Sequence, residues 1–170
     1  LSIAAAYLYT GGPKPYGYLG LGDLAVFVFF GFGAVAGTYY GQAHAGSPLA
    51  WLASVPIGAL ATAILVVNNL RDIETDARAG KNTLAVRLGD RPTRTYYLLL
   101  LAVAYVVPLL LWLRGLAGPW ALLSGLSLPL ALQVAQRMRH ESGLALNGCL
   151  VLTARLEVVF GLLFALGLAW

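Results

Sequence analysis

Asn68, Asp72 and Asp76 are the residues whose types and spacing best suit chemistry. They recur at i, i+4 and i+8, so on a helix their oxygens project from one face. Two carboxylates one turn apart repel each other unless a counter-charge lies between them. A hard divalent cation such as Mg²⁺ supplies that charge, using one or two carboxylates and filling its remaining positions with phosphate oxygens and water. Arg71, Arg78, Lys81 and Arg87 lie around the row, and such cations clamp phosphoryl oxygens. Acids for a metal beside bases for phosphate point to a diphosphate. Aspartates four residues apart are a weak motif, however, and the same pattern suits a solvated loop whose charges pair along the chain.

The elements that must position this row follow from composition. Of 170 residues, 59% are hydrophobic and 11% charged, with a mean hydropathy of +0.77. Soluble domains carry about 25% charged residues, so a cytosolic domain is excluded. Leu24 to Leu70 is free of Lys, Arg, Asp and Glu and is broken once, at residues 44–48. It predicts two helices, about 24–43 and 49–68. Thr95 to Leu113 predicts a third, residues 115–136 a fourth despite Pro119 and Pro129, and Leu144 to Trp170 a fifth. Each approaches the roughly 20 apolar residues that a membrane span needs. The fold class is therefore an all-α polytopic transmembrane bundle, read as a single domain over 1–170. Leu1 to Tyr9 is apolar but too short to span, and reads as the tail of a preceding helix.

Alternating these helices across a bilayer gathers Lys14, Arg71, Arg78, Lys81, Arg87, Arg91, Arg94, Arg137 and Arg139 on one side, and leaves Arg114 on the other. Such a bias marks the cytoplasmic face of a cell membrane. Because the basic residues are confined to these short segments, the net charge of +4 is a topology signal and implies no nucleic-acid partner. The single cysteine, Cys149, excludes an intrachain disulfide and a multi-cysteine metal site. Asn68 to Arg94 is the longest polar stretch and holds ten of the eighteen formal charges. A connection of that length with apolar anchors at Leu84, Val86 and Leu88 is expected to be the functional centre.

Residues 68–89 (NNLRDIETDARAGKNTLAVRLG) resemble the second aspartate-rich motif of the UbiA superfamily of intramembrane prenyltransferases. They are most similar to its branch acting on 1,4-dihydroxy-2-naphthoate in menaquinone biosynthesis. The block 9–23 (YTGGPKPYGYLGLGD) resembles the loop between the fourth and fifth helices of that branch. The resemblance implies a nine-span bundle with a lipid-open cavity, in which Mg²⁺ helps bind a polyprenyl diphosphate and an aromatic acid acceptor is prenylated. Carried over by position, Asp72 and Asp76 are the catalytic, metal-binding aspartates. Asn68, Asn69, Arg71, Lys81 and Arg87 are polar neighbours of the diphosphate, joined from the earlier block by Tyr9, Lys14 and Tyr16. A Tyr-x-x-x-Lys pattern of the family appears here one residue longer, from Tyr9 to Lys14. The first aspartate motif has no counterpart, so these residues are expected to be the C-terminal part of a catalyst whose N-terminal spans are absent.

Two other readings keep the fold. A hydroxybenzoate-like acceptor replaces the naphthoate in one, and in the other the chain is a non-catalytic membrane carrier or assembly subunit. Tyr16 and Tyr18 are expected either to shield a carbocation or to sit at headgroup depth, while Tyr39 and Tyr40 fit the second role better. Asp23 is read as a helix N-cap. Gly33, Gly37 and Gly41, four apart, are read as a face for close helix approach. Arg155 and Glu157 interrupt the last span and, two residues apart, need separate partners.

Overall fold

A computed structural model describes residues 7–9, 11 and 15–170. Among the described residues four helices are long and apolar enough to cross a membrane: α1 (Gly22–Ala43), α2 (Pro48–Arg71), one beginning at Asp90 and one covering Gly143–Ala169. Between α2 and the third of these lie two short helices, α3 (Ile73–Arg78) and α4 (Leu84–Leu88). The third is α5 (Asp90–Leu113). After it come a 3₁₀ segment (Pro119–Ser127), α6 (Leu128–His140) and α7 (Leu146–Ala169).

α2 is the central helix. Its most apolar stretch is 61% buried, against 11% for that of α1. Leu60, Val66 and Val67 of α2 meet Tyr97 and Leu101 of α5 and Leu156 and Phe160 of α7 in one core. Buried hydroxyls find partners inside it, as where Tyr97 and Thr153 share a hydrogen bond of 2.9 Å. The outward faces carry exposed Phe30, Leu99, Val106, Val158 and Leu162, which suits contact with lipid.

The helices begin and end where local chemistry allows. Ser47 caps α2 by accepting from the Ala50 N–H, with Pro48 at the first helical position. α5 starts five residues before the uncharged run that predicted it, because Asp90 and Arg94 pair at 2.7 Å across its first turn. The expected fourth span is the largest difference. Residues 115–136 do not form one regular helix: Pro119 opens the 3₁₀ segment and Pro129 sits at the start of α6. A proline has no N–H for the ladder and is best accommodated in the first turn of a helix, although Pro56 and Pro108 lie inside α2 and α5.

α1 also departs from expectation, being π-helical over Phe27–Ala36. The Gly33, Gly37 and Gly41 face does not make the close crossing. A side chain at Gly41 would meet nothing within 4 Å, and Gly33 and Gly37 line an open groove with Tyr40 and Trp51. The close approach falls at Gly31 and Gly58 instead, where a Cβ on either would come within about 3 Å of the other helix's backbone. Asp23 is not an N-cap; it lies inside the first turn, makes no capping bond and is buried.

Overpacking a tight contact costs about 1–3 kcal/mol, whereas alanine in an open helical position is favourable. Gly58→Val is therefore expected to lower the unfolding midpoint in detergent, and Gly41→Ala to leave it unchanged or raise it.

Candidate active site

The apolar span α2 ends in Asn68, Asn69, Leu70 and Arg71, and Asp72 makes a slight break before α3. The helical ladder nevertheless runs through the break. The Asp72 N–H donates to the Asn68 carbonyl and the Asp76 N–H to the Asp72 carbonyl. The predicted row of Asn68, Asp72 and Asp76 thus persists.

Each carboxylate of the row is held by a base. Arg71 grips Asp72 with two bonds, Nε to Oδ1 at 2.8 Å and Nη2 to Oδ2 at 2.6 Å. The same guanidinium donates to Asn68 Oδ1 and, from Nη1, to Asn147 Oδ1 on α7, both at 2.8 Å. Lys81 reaches Asp76 Oδ1 at 2.9 Å and lies over the Tyr18 ring, 5.2 Å from its centroid. The hydrogen bond from Arg71 holds the Asp72 carboxyl below the usual aspartate range, and the bond to Asp76 pushes the Lys81 ammonium up.

The two sequence blocks that carry the family resemblance pack on one another. The Asn82 N–H donates to the Tyr18 carbonyl at 2.9 Å, and Arg87 Nη2 to the Leu19 carbonyl at 2.8 Å. Between these bonds Gly20 adopts φ 76°, with the Asn82 carbonyl and the Arg87 guanidinium against the space a Cβ would need. A side-chain-free residue is required there for both reasons. Tyr9 and Tyr16 meet edge to face, with centroids 5.4 Å apart. Burial, then the nearby Asp23 carboxylate, raises the Tyr9 phenol. Lys14 lies outside the described residues.

The sequence profile of the UbiA prenyltransferase family matches residues 1–147. The chain belongs to the UbiA prenyltransferase family. It is 54% identical over 143 residues to a Mycobacterium tuberculosis protein named 1,4-dihydroxy-2-naphthoate octaprenyltransferase, a match covering 84% of this chain and 48% of that one. An Escherichia coli protein of the same name is 44% identical over 169 residues, covering 99% of this chain and 55% of the other. Similarity extends to a Synechocystis 2-carboxy-1,4-naphthoquinone phytyltransferase, 32% identical over 173 residues. The chain spans about half the length of the relatives it matches most strongly.

Two spaces flank the charged row of this UbiA chain. On one side a polar cleft of about 530 Å³ is lined by Arg71, Asp72, Glu74, Arg78, Asp90 and Arg94, among others. On the other, an apolar cavity of about 350 Å³, open as a groove, lies between α1, α2 and α7, with Asn68 and Glu157 as its polar lining residues. Arg71 bonds Asn68 in the second space and Asp72 in the first, and so joins them. Among the described residues no cluster of three or more His, Cys, Asp and Glu could hold a metal by itself. Two carboxylates in a row do fit a divalent ion that takes its remaining ligands from phosphate and water.

Asn69 is buried and takes no part in the Arg71 and Lys81 hydrogen bonds. Sequence reasoning missed Asn147, although a lone amide at the start of an apolar span was its signal. Of the two tyrosines named from the loop, Tyr18 lies against Lys81 and Tyr16 meets Tyr9 edge to face.

Because its carboxyl is depressed, Asp72 contributes stability above the unfolded aspartate value of about 3.9 and loses it as pH falls further. The destabilisation caused by Arg71→Gln is therefore expected to be constant between pH 7 and about pH 5 and to shrink below about pH 4. Unfolding midpoints in detergent across that range measure it.

Proposed function

We propose that this chain is part of a Mg²⁺-dependent enzyme that transfers a polyprenyl group from its diphosphate to 1,4-dihydroxy-2-naphthoate, giving a demethylmenaquinone. The observation that carries the proposal is the paired row itself. Asp72 with Arg71 and Asp76 with Lys81 stand at the membrane end of α2, one turn beyond an apolar cavity. Membership of the UbiA family and the shared name of several relatives support the reaction class and the acceptor.

Asp72 and Asp76 would hold the metal, which supplies charge to the departing diphosphate. Arg71 and Lys81 have polar heads within reach of the same oxygens and stabilise the leaving group as its charge grows. Arg87 holds the 16–20 block against residues 82–87, and so keeps Tyr18 and Lys81 in place. The cavity wall shields the allylic cation from water and orients the acceptor ring for attack by its electron-rich carbon. Loss of the acceptor's carboxyl group then restores aromaticity. The basic end of the bundle faces the cytoplasm of a cell membrane, in keeping with the charge bias.

Asp72→Asn in the intact protein is expected to lower prenyl transfer by about 10²-fold or more while the protein still folds. Chelation of divalent ions should abolish transfer and added Mg²⁺ restore it. Radiolabelled transfer in isolated membranes measures both, and normal transfer by Asp72→Asn would contradict the metal assignment. Offered together, 1,4-dihydroxy-2-naphthoate should be prenylated in preference to 4-hydroxybenzoate; the reverse would move the chain to another branch of the family.

A further inference from the structure

Glu157 is an ionisable group in the middle of a membrane span, and such groups are costly there unless they do something. It lines the apolar cavity bounded by Val26, Phe30, Ala61, Leu65 and Leu150, with Asn68 as the other polar residue in the wall. Among the described residues its carboxyl makes no hydrogen bond or ion pair. Arg155, two positions earlier, is exposed on a different face of α7.

The bond between Arg71 and Asn147 fixes where this carboxyl lies. From that contact Ala61 is ten residues along α2 and Glu157 ten residues along α7. At 1.5 Å per residue both are about 15 Å from the charged end, half the depth of a bilayer core. Asn68, three residues from Arg71, lies about 4.5 Å from that end by the same rise. The cavity therefore has two polar points separated by about 10 Å along its wall, with hydrocarbon between them.

A prenyl chain alone would leave the deeper carboxyl without a partner in hydrocarbon, which is unfavourable. An aromatic ring carrying a hydroxyl satisfies it, with the ring's reacting carbon turned toward the diphosphate end. We propose that Glu157 binds a ring hydroxyl of the aromatic acceptor and so sets how deep and which way round the acceptor sits. The inference rests on the prenyl-transfer reading above and adds a substrate-binding residue to it.

Initial rates in membranes carrying the intact protein test it, with acceptor and prenyl diphosphate varied separately. For Glu157→Leu the KM for 1,4-dihydroxy-2-naphthoate is expected to rise by about tenfold, the loss of one hydrogen bond to a buried carboxyl, with the KM for the diphosphate unchanged. An acceptor analogue with one ring hydroxyl replaced by hydrogen should inhibit the wild-type enzyme more weakly than its parent, and should lose that disadvantage in the variant. Glu157→Gln keeps the shape and one acceptor oxygen; should the leucine variant fail to fold, it is expected to show the same selective rise in smaller degree. An unchanged acceptor KM, or equal changes in both KM values, would overturn the inference while leaving prenyl transfer intact. Absence of transfer by the wild-type protein to any hydroxylated aromatic acid would overturn both.

Discussion

Charge must leave the bilayer core, and α2 ends on the residue that makes use of this. Arg71 sits where 47 uncharged residues stop, and it ties Asp72, Asn68 and Asn147 together through four hydrogen bonds. A guanidinium suits this position because its planar fork donates in several fixed directions at once. The bond to Asn147 ties the ends of α2 and α7 together, in register with the core that Leu60, Val66, Leu156 and Phe160 form between them. Neither carboxylate of the row is left bare, so the charged end is stable without any ligand.

That arrangement also states what a ligand must do. Under the proposed function, a metal bound with a diphosphate would compete for carboxylate oxygens that Arg71 and Lys81 hold, and would bring phosphate oxygens for those same bases to hold instead. Residues 16–20 follow whatever happens at 79–87, since two direct hydrogen bonds and the ring of Tyr18 connect them.

Much of this was legible in the sequence. The uncharged runs located α1, α2, α5 and α7, because a charge is excluded from a span whatever surrounds it. The i, i+4 row and its bases were visible for the same reason that they pair. The fourth expected span is present as two joined pieces, the 3₁₀ segment and α6, because Pro119 and Pro129 lack N–H groups, which hydropathy does not register. The glycine reading failed because spacing finds a small-residue face but not which one meets another helix: Gly31 and Gly58 are paired by the tertiary fold. Asn147 took its meaning from a contact with Arg71, 76 residues away in the chain, which no local pattern encodes, whereas Glu157 was visible as a charge interrupting an apolar run. Asp23 had the type of a cap and lies two positions past the N-cap, which is Leu21.

The central claim is that Asp72 and Asp76 together form a metal site completed by diphosphate. Mn²⁺ binding to the purified intact protein, followed by electron paramagnetic resonance with and without inorganic diphosphate, tests it without requiring turnover. Tight binding is predicted only when diphosphate is present, with loss on replacing both aspartates by asparagine. Diphosphate-dependent Mn²⁺ binding that survives the double replacement would contradict the account.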